Sequence, residues 1–175
     1  MTGTATPLTI RAVLPGDAED IAELIAAAFG QPDEAHLVRE LRACGALVLE
    51  RVACDRSGQI VGHVAFSRVT GAGQGHRLEI SCLAPVSVWP NLQKQGIGSA
   101  LIRAALDDLR AAGEDLVLVL GPPAYYPRFG FDPVLARKVS APYAGDAFQA
   151  LALTPAARDG LPVEVTFATP FEAFE

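Results

Sequence analysis

Two hydrophobic periods divide the chain. Leu8–Val13 alternates as a strand and stops at Pro15 and Gly16, after which Ile21, Leu24, Ile25 and Phe29 recur at helical spacing over Asp17–Phe29. Asp33 is placed to cap a second helix, Glu34–Ala43, with Leu37, Val38 and Leu41 on one face and Gly45 as its stop. Ala46–Ala53 and Gln59–Val69 read as strands, joined as a hairpin through Asp55, Arg56, Ser57 and Gly58. A glycine-rich turn at Gly71–Gly75 precedes a further strand, Arg77–Val88. Pro85 interrupts it, and because proline has no N–H to give a ladder, a bulge or splay is expected there. Gly96 to Ala112 is a largely apolar helix ended by Gly113, and Leu116–Leu120 is an unbroken apolar run suited to a central parallel strand. Pro122 and Pro123 open a short helix holding Tyr125 and Tyr126, and strands follow at Arg137–Ala141, Phe148–Leu153 and Val163–Phe167. No linker, repeat or low-complexity tract divides this order. It predicts one α/β (α+β) domain whose mixed, mostly antiparallel sheet of six to seven strands is flanked by helices and splays at one parallel pair.

The polar loop between the strand ending at Val88 and the helix after Gly96 is the chain's most specific feature. Gly96 and Gly98 allow close approach of an anion, and the N–H groups opening the helix have no intrahelical acceptors, so the loop is built for a diphosphate. It is not a Walker loop, because Ser99, Ala100 and Leu101 follow the glycines and no lysine lies on the first turn. Leu101 fills the last position of the dinucleotide fingerprint, which excludes that motif, and a kinase glycine-rich loop would open a hairpin. Where strands splay beside it, backbone groups without ladder partners can pair with an extended amide-containing ligand.

What remains is Q-x-x-G-x-G, filled by Gln93, Lys94, Gln95, Gly96, Ile97 and Gly98. With the downstream Tyr126, Pro127, Arg128, Phe129, Gly130 and Phe131, it resembles the acyl-CoA site of the GNAT superfamily of N-acyltransferases. Ile60–Ser67 and Gly121–Phe131 look like a bacterial subgroup of uncharacterised acetyltransferases. The likeness spans Leu8–Phe131 and continues more loosely to Phe174. It implies acetyl-CoA as co-substrate, with the diphosphate on the main chain of Gln93–Ser99. The pantetheine amides and the reaction's oxyanion would meet the main chain of Val86, Ser87 and Val88, and no metal is implied. Tyr126 would protonate the departing sulfur, a phenol with a reference pKa of about 10 being able to donate near neutrality. Glu79 is the candidate general base, while His63 is expected to be packed and hydrogen-bonded. Two departures stand out: Gln93 replaces a common arginine, which shifts diphosphate binding to backbone donors and Lys94, and Pro122 and Pro123 stand where relatives often carry asparagine.

Charge and composition narrow the class. A net charge of −6 argues against a nucleic-acid binder and mildly favours a cationic amine acceptor. The cations available to a polyanion are Lys94, Arg103 and Arg128. Half of the 175 residues are apolar, enough for one core, and no apolar run approaches the ~20 residues of a membrane span. Met1–Leu8 lacks the features of a signal peptide, so a cytoplasmic monomer or homodimer is expected. Cys44, Cys54 and Cys82 lack metal-ligand spacing and read as reduced, packed thiols. Two functions follow: an N-acetyltransferase working by direct transfer to a primary amine, or a non-catalytic acyl-CoA-binding module. The acceptor itself is not legible, because one scaffold serves many amines.

Overall fold

A computed structural model describes residues 7–72, 77–143 and 145–174. In chain order the elements are β1 (Thr9–Ala12), α1 (Ala18–Phe29), α2 (Asp33–Ala43), β2 (Leu47–Cys54), β3 (Ile60–Ala72), β4 (Ile80–Val88), α3 (Ile97–Ala111), β5 (Leu116–Leu120), α4 (Pro133–Ala136), β6 (Val139–Ser140), β7 (Phe148–Ala152), α5 (Pro155–Asp159) and β8 (Val163–Thr166). Single 3-10 turns lie at Pro90–Leu92 and Tyr126–Phe129, and a longer one at Thr169–Phe174. The sheet runs β1-β2-β3-β4-β5-β7, with β8 on the far end of β3 and β6 beside β8. Among the described residues, β4–β5 and β6–β8 are the parallel pairs.

Side-chain alternation sorts the two faces. On one, α3 lays Ile97, Leu101, Ile102 and Leu109 over Val64, Phe66, Leu83, Val117 and Val119. On the other, α1 packs Ile21, Leu24 and Ile25 onto Val52 and Ile60, while Leu37 and Leu41 of α2 join Ile80, Cys82, Leu116, Leu118 and the C-terminal Val163, Val165 and Phe171. Residues such as Leu101, Ile102 and Leu116 are fully buried, each contributing about 1.5–3 kcal/mol. Gly62 of β3 lets α3 settle close, since a Cβ there would lie 2.8 Å from Leu101 Cδ1 and 2.9 Å from Ile97 Cγ2.

Three local expectations are revised. Asp33 is the first residue of α2 and does not cap it; the N-cap is Pro32, and Asp33 instead puts negative charge on the positive end of the helix. The strand expected over Arg137–Ala141 shrinks to Val139–Ser140, because Asp132 Oδ1 accepts from the Val134 N–H at 2.8 Å and starts α4 just before it. The glycine-rich turn starts within β3, which runs through Gly71 and Ala72, and its remainder lies outside the described residues. Among the described residues no helix is long and apolar enough to cross a membrane.

One polar cluster ties α2 to the sheet. Glu50 Oε1 on β2 meets Arg42 Nη2 of α2 at 2.5 Å and His63 Nε2 of β3 at 2.8 Å, with His63 fully buried. Burial alone would raise the Glu50 carboxyl, but the hydrogen bonds from His63 and Arg42 outweigh it and hold it below its usual value. The charged carboxylate therefore stabilises the fold above the ordinary carboxylate range and loses that contribution as pH falls through its depressed folded pKa. Glu50→Ala, which strands two donors, is expected to cost about 3 kcal/mol in urea unfolding at neutral pH and less in acid. A pH-independent cost would show that the cluster adds nothing electrostatic.

Candidate active site

The parallel β4–β5 ladder runs from Ile80 opposite Leu116 to Leu83 opposite Val119 and then ends. Against β3, Leu83 faces Phe66 and Val86 faces Val64, so Ala84 and Pro85 together stand against Ala65 as a bulge. Strand β4 continues to Val88 held by β3 alone, while the chain after β5 turns away, the Gly121 N–H bonding the Ala147 carbonyl at 3.0 Å. A cleft of about 1130 Å³ opens in this gap and passes from the α3 face of the sheet to the α1–α2 face. Its floor holds the free edge of β4, where main-chain groups have lost the neighbour that a complete ladder would supply.

At one end the cleft meets the start of α3. Lys94 and Gly96 adopt left-handed conformations with φ of 65° and 86°, so the main chain curls ahead of the helix. Only glycine takes this freely, and a lysine there costs about 1–2 kcal/mol. The first intrahelical bond of α3 is from the Ala100 N–H to the Gly96 carbonyl at 3.0 Å. The N–H groups of Ile97, Gly98 and Ser99 therefore precede any intrahelical acceptor at the positive end of a 15-residue helix. Gly98 faces the end of β4: a Cβ on it would lie 3.6 Å from Tyr125 Oη, 3.8 Å from Val88 Cγ2 and 3.9 Å from Val86 Cγ2, within the channel between helix and strand. Gln93 also lines the cleft, but its Nε2 donates to the Val88 carbonyl at 3.2 Å, fastening loop to strand.

The 3-10 turn after β5 forms the opposite wall. Tyr125 Oη and Ser99 Oγ are 3.0 Å apart, joining this turn to the first turn of α3. Arg128 Nε donates to the Tyr125 carbonyl at 2.8 Å and its guanidinium stacks 4.4 Å from the Tyr125 ring centre. Tyr126 is buried at 5% exposure yet lines the cleft, its ring against Phe131 and so close over Gly121 that a Cβ there would stand 2.5 Å from Tyr126 Cε2. Burial, with smaller contributions from Tyr125 and Cys82, pushes its phenol up to about 12. Buried Gln149 supports the segment, Nε2 donating to the Pro123 carbonyl at 3.2 Å.

The gathering of residues is uneven. Val86, Val88, Gln93, Lys94, Gly96, Ile97, Gly98, Ser99, Tyr126 and Arg128 all line the cleft. Ser87 is buried on the α1–α2 face opposite His63, and Gln95 is exposed outside the cleft; only their main chains belong to the loop and strand. Arg103 lies over the Phe129 ring at 5.0 Å and does not line it. Glu79 lies apart from the residues that line the cleft. It immediately precedes β4, at the end remote from the bulge, where its carboxylate pairs with Arg68 at 3.2 Å and Arg77 at 3.6 Å, so the ladder that positions it also keeps it from the cleft. The family resemblance points to the first two helices and the C-terminal strands for acceptor specificity without singling out residues, and from those regions Phe29, Glu34, Leu37, Tyr143, Phe148, Phe167 and Phe171 line the α1–α2 end of the cleft. Their aromatic content was visible, but four of them come from segments after α4 whose return to the cleft no local pattern encodes.

Comparison with known proteins agrees with this geometry. The family model described as an acetyltransferase (GNAT) domain matches residues 9–134. The chain is 36% identical over 169 residues to the uncharacterised N-acetyltransferase YhbS of Escherichia coli K12, covering 95% of this chain and 100% of that one. It is 41% identical over 132 residues to the uncharacterised N-acetyltransferase YjhQ of the same organism, covering 73% of this chain and 71% of YjhQ. Among solved structures, E. coli YhbS in complex with CoA superposes with a TM-score of 0.88 over 100% of this chain and 97% of that one. A GNAT family acetyltransferase from Brucella melitensis in complex with acetyl-CoA, 36% identical, gives 0.78 over 95% of this chain and 99% of that one. A splayed parallel pair, a helix opening on unpaired amides and a matching family model over most of the chain together place this protein in the GNAT family of acetyltransferases.

Proposed function

We propose that the protein transfers an acetyl group from acetyl-CoA directly to a primary amine within a ternary complex. The observation that carries the reading is the set of three α3 amides, Ile97, Gly98 and Ser99, opening onto the same cleft that buries Tyr126. Those amides, with Lys94 and Arg128 beside them, suit a diphosphate. The free edge of β4 around Val86–Val88 suits the pantetheine amides and supplies main-chain donors for the oxyanion. The ammonium first loses a proton to solvent; the neutral nitrogen then attacks the thioester carbonyl, a C–N bond forms and the C–S bond breaks. The sulfur leaves with a proton from Tyr126, which regains one from the newly formed amide nitrogen through solvent. The products are an N-acetyl amide, free CoA thiol and one proton. With Glu79 engaged by two arginines away from the cleft, water takes the ammonium proton. We place the reaction in the cytoplasm, where free thiols such as Cys54 and Cys82 remain reduced.

Direct transfer also fits the one thiol among the described residues lining the cleft. Cys82 is buried, and burial pushes its thiol up to about 12, so it is not a thiolate nucleophile near neutrality. Initial-rate measurements against both substrates are expected to give intersecting patterns. Mass spectrometry after incubation with acetyl-CoA alone is expected to show an unmodified chain, with Cys82→Ala still active. A stable acetyl adduct on Cys82, or parallel rate patterns, would replace this mechanism with a covalent one. Normal acetyl-CoA binding with no thiol release over a broad amine panel would make the protein a binding module.

A further inference from the structure

The half of the cleft beyond Tyr126 differs in chemistry from the half at α3. It is walled by rings: Tyr143 stands 5.3 Å from Phe167, and Phe167 5.9 Å from Phe171, as a connected edge-to-face series that reaches the cleft from the C-terminal segments. Phe29 at the end of α1 and Leu120 at the end of β5 also line it, yet they are 43% and 50% exposed, two of the few large apolar side chains left open to water. An exposed apolar wall inside a concave site suits an apolar ligand.

Charge fixes the other property. Glu34 supplies the one carboxylate among the described residues lining the cleft, and Gln31 Nε2 holds it at 2.8 Å. The cations Lys94 and Arg128 lie at the α3 end. We infer that this half of the cleft selects a primary amine carried on an aromatic body, the ring against Phe29 and the Tyr143–Phe167–Phe171 wall and the cationic end drawn in by Glu34. This deepens the proposed transferase reading and rests on it. A polyamine would call for several carboxylates where there is one, and a long acyl chain on the thioester has no use for a carboxylate.

Calorimetric titration of 2-phenylethylamine into the CoA-saturated protein tests this without requiring turnover. Its affinity is expected to exceed that of ethylamine by about tenfold or more. Phe29→Ala should erase most of that difference and Glu34→Gln should weaken both amines, each with CoA affinity unchanged. Phenylethylamine binding no better than ethylamine, or Phe29→Ala leaving the difference intact, overturns the inference. So does spermidine binding more tightly than phenylethylamine, or octanoyl-CoA more tightly than acetyl-CoA. If phenylethylamine binds as expected but is never acetylated, the aromatic selectivity stands and the transfer reaction falls.

Discussion

Gly98→Val is expected to weaken CoA binding about 100-fold, a loss of about 2.7 kcal/mol, while leaving the fold intact. The reason is spatial. A Cβ at residue 98 makes ordinary contacts, 3.6–3.9 Å, with Tyr125 and the two valines of β4, so the protein itself tolerates it. Valine's branches then occupy the channel between the first turn of α3 and the free edge of β4, where the ligand's main-chain contacts would form. The helix-propensity cost of valine, under about 1 kcal/mol, is small beside this. Lys94→Ala separates charge from backbone: an exposed lysine contributes a screened point charge, so its removal is expected to weaken binding only about threefold to tenfold and to flatten the salt dependence. Titration calorimetry of wild type and both variants at two ionic strengths measures the contrast. Equal losses would mean that side-chain charge, and not the amides of α3, holds the diphosphate.

Tyr126→Phe should lower kcat by about 100-fold with acetyl-CoA affinity nearly unchanged, the scale of a lost general acid. Phenylalanine preserves the ring contacts with Phe131 and over Gly121 and removes only the hydroxyl. The raised pKa has two further consequences. Because the phenol is pushed from 10.0 up to about 12, the acid form persists through the alkaline range, and the wild-type rate should not fall near pH 10 through its ionisation. Stability moves the other way: above pH 10 the unfolded chain's phenol ionises while the folded one keeps its proton, so stability declines between pH 10 and about 12. That decline should be shallower in the variant. An unaltered kcat would show that the sulfur leaves unassisted or takes its proton from water, and the phenol would then be only a wall of the cleft.

How much could be read ahead of the structure depends on the range of the interactions. The periodicities of Asp17–Phe29 and Gly96–Ala112 appear as α1 and α3 because one buried face per helix is written into consecutive turns. Pro85 announced a disturbance in β4, and the bulge at Ala84–Pro85 is that disturbance. Short helices such as α4 and α5, of four and five residues, carry too few turns to show a period. Glu79 shows the limit most clearly: its residue type suits a base, but where its carboxylate sits, paired with Arg68 from the neighbouring strand and with Arg77, depends on the register of β3 and β4.

The alternation of strands and helices, the glycine-bearing turn before α3 and the Tyr126 segment were legible along the chain, since each depends on residues close together in it. The departure of β5 from β4 after Leu83, the tie from Gln93 to Val88, and the return of rings from the C-terminal third to the cleft that Phe29 and Glu34 also line came from the fold. Those features come from packing between distant segments, where register and burial select partners that no local pattern names.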